Sequence, residues 1–157
     1  MDMETEYKID KLNQLYARCL DEGRYSEWPD FFVEDANYII HSRENADADL
    51  EAYIMYCEGG PMMRDRMLAT EKAIVHDLRY ERRVVASPLI TKENNEHIET
   101  RSNYVMYRSG LEGNSELFST GEYRDKIVFD DDGNPKFKER IVVLDTFNVV
   151  STCPYPI

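Results

Sequence analysis

At 157 residues the chain is the size of one domain, and a domain of that length buries roughly 68–70% of its unfolded surface around a single core. Its 42% hydrophobic content, with 6 Phe and 11 Tyr, excludes a disordered polymer, and its apolar runs fall far short of the roughly 20 residues of a membrane-spanning helix. A formal net charge of -12 speaks against nucleic-acid binding, which depends on clustered Lys and Arg.

The opening stretch M-D-M-E-T-E-Y-K has neither the basic start nor the apolar run of a signal peptide, so the expected location is the cytoplasm. Ile9, Leu12, Tyr16, Cys19 and Leu20 then recur with a helical period, Leu15 widens the stripe, and Gly23 stands where a left-handed residue ends a helix. The spacing predicts a helix from about Glu4 to Glu22. Ser26 is placed to cap a second, short helix in which Trp28, Phe31 and Phe32 fall at i, i+3 and i+4, with Pro29 in its first turn. Glu34 and Asp35 turn the chain into a strand, Asn37–Ser42, whose Tyr38, Ile39 and Ile40 form a compact apolar run. Asn45 to Asp49 reads as a loop, and Leu50–Cys57 reads as strand rather than helical turn. Gly59-Gly60-Pro61 breaks the chain and opens a third helix to about Ala73, with Met63, Met67, Thr70 and Ile74 on one face.

From Arg79 the period changes to two, and Arg79–Ile90, Glu96–Ser109, Ser115–Asp130 and Pro135–Val150 are expected as long strands. Polar connections at Lys92–Asn95, Gly110–Asn114 and Asp131–Asn134 would join them as a meander. In the last strand the pattern puts Phe137, Ile141, Val143, Phe147 and Val149 on one face, and Lys136, Lys138 and Arg140 on the other, which turns apolar at Val142 and Leu144. Gly121, in mid-strand, marks a bulge or sharp bend. Helices first and long strands afterwards predict an α+β fold, a helical layer on a strongly curved, mainly antiparallel sheet that forms a cone. Because both sheet faces carry apolar residues and the helices cover one, the other is expected to meet a protein partner.

The side chains offer little assembled chemistry. Cys19, Cys57 and Cys153 are odd in number and far apart, as reduced packing thiols are. His41, His76 and His97 share no helical face, and no paired Cys/His motif, phosphate loop or nucleophile elbow is present, so no metal or cofactor is expected in this chain. The run Asp130-Asp131-Asp132-Gly133 has the wrong spacing for a calcium loop and reads as a solvated hairpin turn. An acid/base site in an open cone would draw on Tyr16, Asp35, His97, Tyr104 and Asp145; the plainer expectation is that Asp35 bonds backbone amides and Asp145 pairs with an arginine. Glu122, Arg124 and Lys126 are expected to face Lys136, Lys138 and Arg140 across a ladder, as a surface charge network or an assembly interface.

Several segments in fixed order resemble the small, or β, subunit of aromatic-ring-hydroxylating dioxygenases, the Rieske non-haem iron oxygenases. They are W-P-D-F-F-V-E-D-A-N-Y (Trp28–Tyr38) followed by R-E-N (Arg43–Asn45), M-x-R-D-R (Met62–Arg66), H-D-x-R-Y-x-R-R (His76–Arg83), F-S-T-G-E-Y-R-D-K (Phe118–Lys126), K-x-K-E-R-I-V-V-L-D-T (Lys136–Thr146) and Y-P-I (Tyr155–Ile157). The R-E-N segment and the Y-P-I ending are most similar to small subunits of enzymes acting on monocyclic aromatic acids such as salicylate, anthranilate or terephthalate. The resemblance implies one domain over residues 1–157 with a nuclear-transport-factor-like (cystatin-like) cone, a trimer stacked on three Rieske-type large (α) subunits as α3β3. It also implies that the Rieske [2Fe-2S] cluster and the mononuclear iron lie on that partner and that this chain is structural. No catalytic residue carries over. Trp28, Arg79, Tyr123, Arg124, Asp125, Arg140, Tyr155 and Ile157 are the candidate structural and interface residues. The competing expectation is a stand-alone enzyme of the ketosteroid-isomerase or dehydratase kind, which requires an open cone; a homodimeric small-ligand module is the third.

Overall fold

The structure, a computed structural model, describes residues 1–74, 79–145 and 156–157. Helix α1 (Met3–Asp21) starts at Asp2, whose carboxylate accepts the Thr5 amide at 2.7 Å. It stops at Gly23, with φ of 71°, where the Gly23 N–H reaches the Leu20 carbonyl at 3.1 Å and the Arg24 N–H the Cys19 carbonyl at 3.0 Å. That pair of bonds requires a left-handed residue, which glycine adopts without strain. The stripe Ile9, Leu12, Tyr16, Cys19 and Leu20 is buried as its period demands, whereas Leu15 is 49% exposed and does not widen it.

Trp28, Phe31 and Phe32 do not share one helix. A 3-10 helix (Tyr25–Phe31) begins directly after the α1 ending, so Ser26 falls inside its first turn and caps nothing. Strand β1 (Phe32–Ser42) takes Phe32 and starts five residues before the expected Asn37. Ser42 then accepts the Asn45 amide at 3.2 Å and caps the short helix α2 (Arg43–Asp47), within the expected loop. Only Met55–Glu58 forms strand β2, so Leu50–Ile54 is not strand. Helix α3 (Gly59–Ile74) buries Met63, Met67 and Thr70 against β1 and the 3-10 helix.

The expected strand Arg79–Ile90 is broken into β3 (Arg79–Val85) and β4 (Leu89–Glu93). Pro88 between them cannot donate to a ladder. Both pieces pair with β5 (Ile98–Gly110), which continues through β6 (Ser115–Phe129) and β7 (Pro135–Leu144) as an antiparallel meander. The part of the last predicted strand beyond Asp145, with Phe147 and Val149, lies outside the described residues, as do His76 and Cys153. Strand order is β2-β1-β7-β6-β5-β3 with β4 also on β5, and β1 runs parallel to β7. Among the described residues no helix is long and apolar enough to cross a membrane.

The alternation along β7 changes phase at a bulge. Lys126 pairs with Glu139 but Ile127 with Phe137, so Lys138 is an extra residue on β7. Phe137 before the bulge and Arg140, Val142 and Leu144 after it therefore all point into the cone, while Ile141 and Val143 point out. This corrects the expected face sharing of Phe137 with Ile141 and Val143, and of Arg140 with Lys136 and Lys138. Gly121 sits in regular pairing between Tyr104 and Leu144, three residues after a second bulge in β6. A Cβ there would lie 2.0 Å from the Val143 carbonyl oxygen, so the close approach of β7 admits glycine alone.

Candidate functional site

The centre of the cone is an ion pair inside an aromatic cage. Arg140 donates through Nε and Nη2 to both carboxylate oxygens of Asp125 at 2.8 and 2.7 Å, and through Nη2 also to Asn13 Oδ1. Asn13 in turn donates to Ser102 Oγ at 3.2 Å, tying α1 to β5, β6 and β7. The guanidinium carbon lies 4.0 Å from the ring centres of Tyr123 and Phe137 and 4.3 Å from that of Tyr16. Each face contact of this kind contributes about 0.5–2 kcal/mol. Burial alone would depress the Arg140 guanidinium, but the Asp125 carboxylate outweighs it and holds the group above its ordinary value. Burial pushes the Asp125 carboxyl up while Arg140 pulls it down; with both oxygens taken by guanidinium N–H groups, the geometry favours the charged pair.

A second set of core contacts gathers around Ile157. The Ile157 main-chain oxygen accepts the Tyr16 hydroxyl at 2.9 Å and the Tyr38 hydroxyl at 3.3 Å, and the Ile157 N–H donates to Tyr38 at 2.8 Å. Burial raises the phenols of Tyr16, Tyr38 and Tyr123 above their ordinary value. Trp28 is fully buried against Tyr38 and Phe32, with ring centres 4.8 and 5.2 Å away. At the rim, Arg83 donates to Asp21 at 2.7 Å, to Glu81 at 3.3 Å and to the Pro156 carbonyl at 2.9 Å. Burial would lower Arg83, yet Glu81 and Asp21 together raise it. Arg108, bonded to Glu81 at 3.2 Å, lies 3.3 Å over the Phe118 ring.

The structure thus brings together Trp28, Tyr123, Asp125, Arg140 and Ile157 in one core, and separates Arg124 and Arg79 from it. Arg124 points outward and bonds Glu122 at 2.7 Å; Arg79 stands exposed at the start of β3; Tyr155 lies outside the described residues. The ladder pairs Asp125 with Arg140, Arg124 with Ile141 and Lys126 with Glu139, so the expected meeting of Arg124 and Lys126 with Lys138 does not occur. Lys138 bonds Asp35 instead and lowers that carboxyl, which therefore has a lysine rather than backbone amides as its main partner. Asp145 accepts Arg43 Nε at 2.7 Å, His97 contacts Glu99 at 3.1 Å, and the Tyr104 hydroxyl meets Ser119 at 2.9 Å. Each acid/base candidate is held by a neighbour, and they lie on different sides of the sheet. Asp130 closes its turn by accepting the amides of Asp132 and Asn134, which lower it.

The residues sequence reasoning missed are Asn13, Ser102, Tyr38, Asp21, Arg83 and Arg108. Asn13 carried a signal: it lies four residues after Ile9 and three before Tyr16, inside the apolar stripe. Among the described residues, one cleft of about 530 Å³ lies between the end of α1 and β3 and another of about 440 Å³ between α1 and the β6–β7 turn. Among the described residues no group of three His, Cys, Asp or Glu converges as metal ligands, and His41 and His97 are turned to the Leu50 carbonyl and Glu99. These side chains do not fit a Rieske cluster or a mononuclear iron.

Three comparisons place this architecture. The sequence model of the family described as ring hydroxylating beta subunit matches residues 16–151. The small subunit of anthranilate 1,2-dioxygenase from Burkholderia cepacia is 33% identical over 156 residues, covering 99% of this chain and 96% of that one. Subunit beta 2 of the terminal oxygenase component of terephthalate 1,2-dioxygenase from Comamonas sp is 29% identical, covering 92% and 93%. A crystal structure described as the β subunit of an aromatic-ring-hydroxylating dioxygenase from Novosphingobium aromaticivorans superposes with a TM-score of 0.83 at 29% identity, over 92% of this chain and 91% of that one. The fold is the nuclear-transport-factor-like cone, and the chain belongs to the ring-hydroxylating β-subunit family, the small subunits of ring-hydroxylating dioxygenases.

Proposed function

We propose that this chain, as one domain over residues 1–157, is a structural, non-catalytic small subunit of a cytoplasmic ring-hydroxylating dioxygenase. It assembles with a Rieske-type large subunit as α3β3, and that partner carries the [2Fe-2S] cluster, the mononuclear iron and the substrate pocket. The observation that supports the reading is the packing at the centre of the described core, where the Arg140 guanidinium lies against three rings of the chain's own side chains. A base there would have to be free, whereas Asp125 has both oxygens committed to Arg140. The same packing argues against a stand-alone isomerase or dehydratase. The names of the relatives, an anthranilate and a terephthalate dioxygenase, support a monocyclic aromatic acid as the substrate of the whole assembly.

Co-expression with a Rieske-type large subunit of a ring-hydroxylating dioxygenase tests the proposal. A tag on this chain is expected to retrieve a stable complex of both subunits. Failure to retain any such large subunit would overturn the reading.

A further inference from the structure

The strand registers set the outer side chains of the sheet in rows. In the row Lys92, Glu99, Lys126 and Glu139, running from β4 to β7, cation and carboxylate alternate, with Lys92 3.5 Å from Glu99 and Lys126 3.1 Å from Glu139. That row neutralises itself. The next one does not: Arg101 stands directly opposite Arg124, with Leu89 beyond Arg101 and Ile141 beyond Arg124. Residues so placed have Cβ atoms about 4.5–5.5 Å apart, and like charges there are unfavourable. A chain with 31 Asp and Glu against 19 Lys and Arg nonetheless sets cation on cation at this point.

The pair is only half compensated. Glu122, two residues from Arg124 on the same face, takes its Nε at 2.7 Å and its Nη2 at 2.6 Å. That leaves Nη1 of Arg124 and the whole guanidinium of Arg101, which is exposed and forms no side-chain hydrogen bond or ion pair among the described residues. Asp125 adds no charge to this face, because its carboxylate is turned into the core and held by Arg140. Both arginines line an open cleft of about 500 Å³ together with Thr91 and Ile141, a volume within the range of small-ligand sites, about 300–1,000 Å³. Guanidinium N–H groups match the two oxygens of a carboxylate, and Ile141 offers apolar surface beside them.

We infer that the Arg101–Arg124 row binds a small carboxylate anion with an apolar body. The carboxylate bridges the two guanidinium groups and relieves their repulsion, and the body lies against Ile141. This site is on the opposite face of the sheet from the Arg140–Asp125 pair and is independent of it. A carboxylate could also come from an Asp or Glu of a partner protein; the concave cleft favours the free acid.

Isothermal titration calorimetry of the purified full chain, with benzoate as the probe, tests the inference. Saturable binding that weakens with added salt is expected. Acetate, which lacks the apolar body, and benzyl alcohol, which lacks the charge, should each bind about tenfold more weakly. Arg101→Ala should weaken benzoate about tenfold through the lost charge-assisted hydrogen bonds, Arg101→Lys should lose less, and Lys11→Ala, remote on α1, should change nothing. Because it removes a like charge, Arg101→Ala is also expected to melt no lower than the wild type. No saturable binding, equal binding of benzyl alcohol, or unchanged affinity in Arg101→Ala would overturn the site; should that variant fail to fold, Arg101→Lys with wild-type affinity would do the same. Retrieval of a Rieske-type large subunit by Arg101→Ala is expected to match the wild type, and its loss would assign the arginines to a partner's carboxylate and overturn the free-acid site. Absence of benzoate binding with retrieval intact leaves the proposed function standing.

Discussion

Asp125 and Arg140 face each other across the β6–β7 ladder, joined at 2.7 and 2.8 Å and walled from water by Tyr16, Tyr123 and Phe137. The pair as such is weak grounds for stability, since desolvating two charges offsets most of their attraction. Removing one partner is different. Asp125→Ala leaves an uncompensated buried guanidinium and is expected to cost about 3–5 kcal/mol in urea unfolding. The combined Asp125→Leu and Arg140→Met variant should lose less than either single change, which a double-mutant cycle measures.

The hydroxyls in the core are not equivalent. Tyr123 Oη has no hydrogen-bond partner among the described residues, whereas Tyr38 both donates to and accepts from Ile157. Tyr123→Phe, which keeps the stacking on Tyr104 at 4.7 Å, is expected to leave stability unchanged or raise it by about 1 kcal/mol. Tyr38→Phe strands the buried Ile157 N–H and should cost about 1–3 kcal/mol. Equal losses at the two positions would contradict this account.

Gly121→Ala tests the closure of β6 on β7. The added methyl would sit 2.0 Å from backbone that cannot swing aside, so the ladder itself must part. The expected loss in thermal or urea melts lies at or beyond the upper end of the usual overpacking range, about 3 kcal/mol. A variant melting like the wild type would show that the strands approach less closely than described.

Alkaline pH should weaken the fold through groups that burial keeps protonated. The phenols of Tyr16, Tyr38 and Tyr123 are raised above their ordinary value of about 10. Because the fold prefers their neutral form, their contribution is complete below that value and is lost as pH climbs past it. Absorbance titration at alkaline pH should show them ionising only as circular dichroism collapses. Cys19 is pushed by burial to about 11, so its contribution should decline between pH about 9 and about 11. Cys19→Ala should flatten that part of the stability curve.

The helical layer and the meander were legible because α1 keeps a 3.6 period and β5 to β7 are separated by polar turns. Local chemistry carried those signals. What stayed hidden depends on partners distant in sequence. The bulge at Lys138 leaves no mark on the chain, yet it turns Arg140 from an outer charge into the core cation. Phe32 fits a helix by spacing, and only its pairing with Phe137 assigns it to β1. Ser42 does carry the cap signal for α2, and Pro88 the break between β3 and β4. Arg83 and Arg108 occupy inward positions of period-two runs, where a charge implies a buried partner, but Asp21 and Glu81 could be named only once α1 lay against β3.

The most direct measurement is the distribution of iron and turnover between separated subunits. The purified complex is resolved into its chains, each is assayed for iron and for aromatic-acid oxidation, and the two are recombined. All iron is expected with the large subunit, this chain alone should show neither stoichiometric metal nor turnover, and recombination should restore activity. Stoichiometric iron or turnover in this chain by itself would contradict the account.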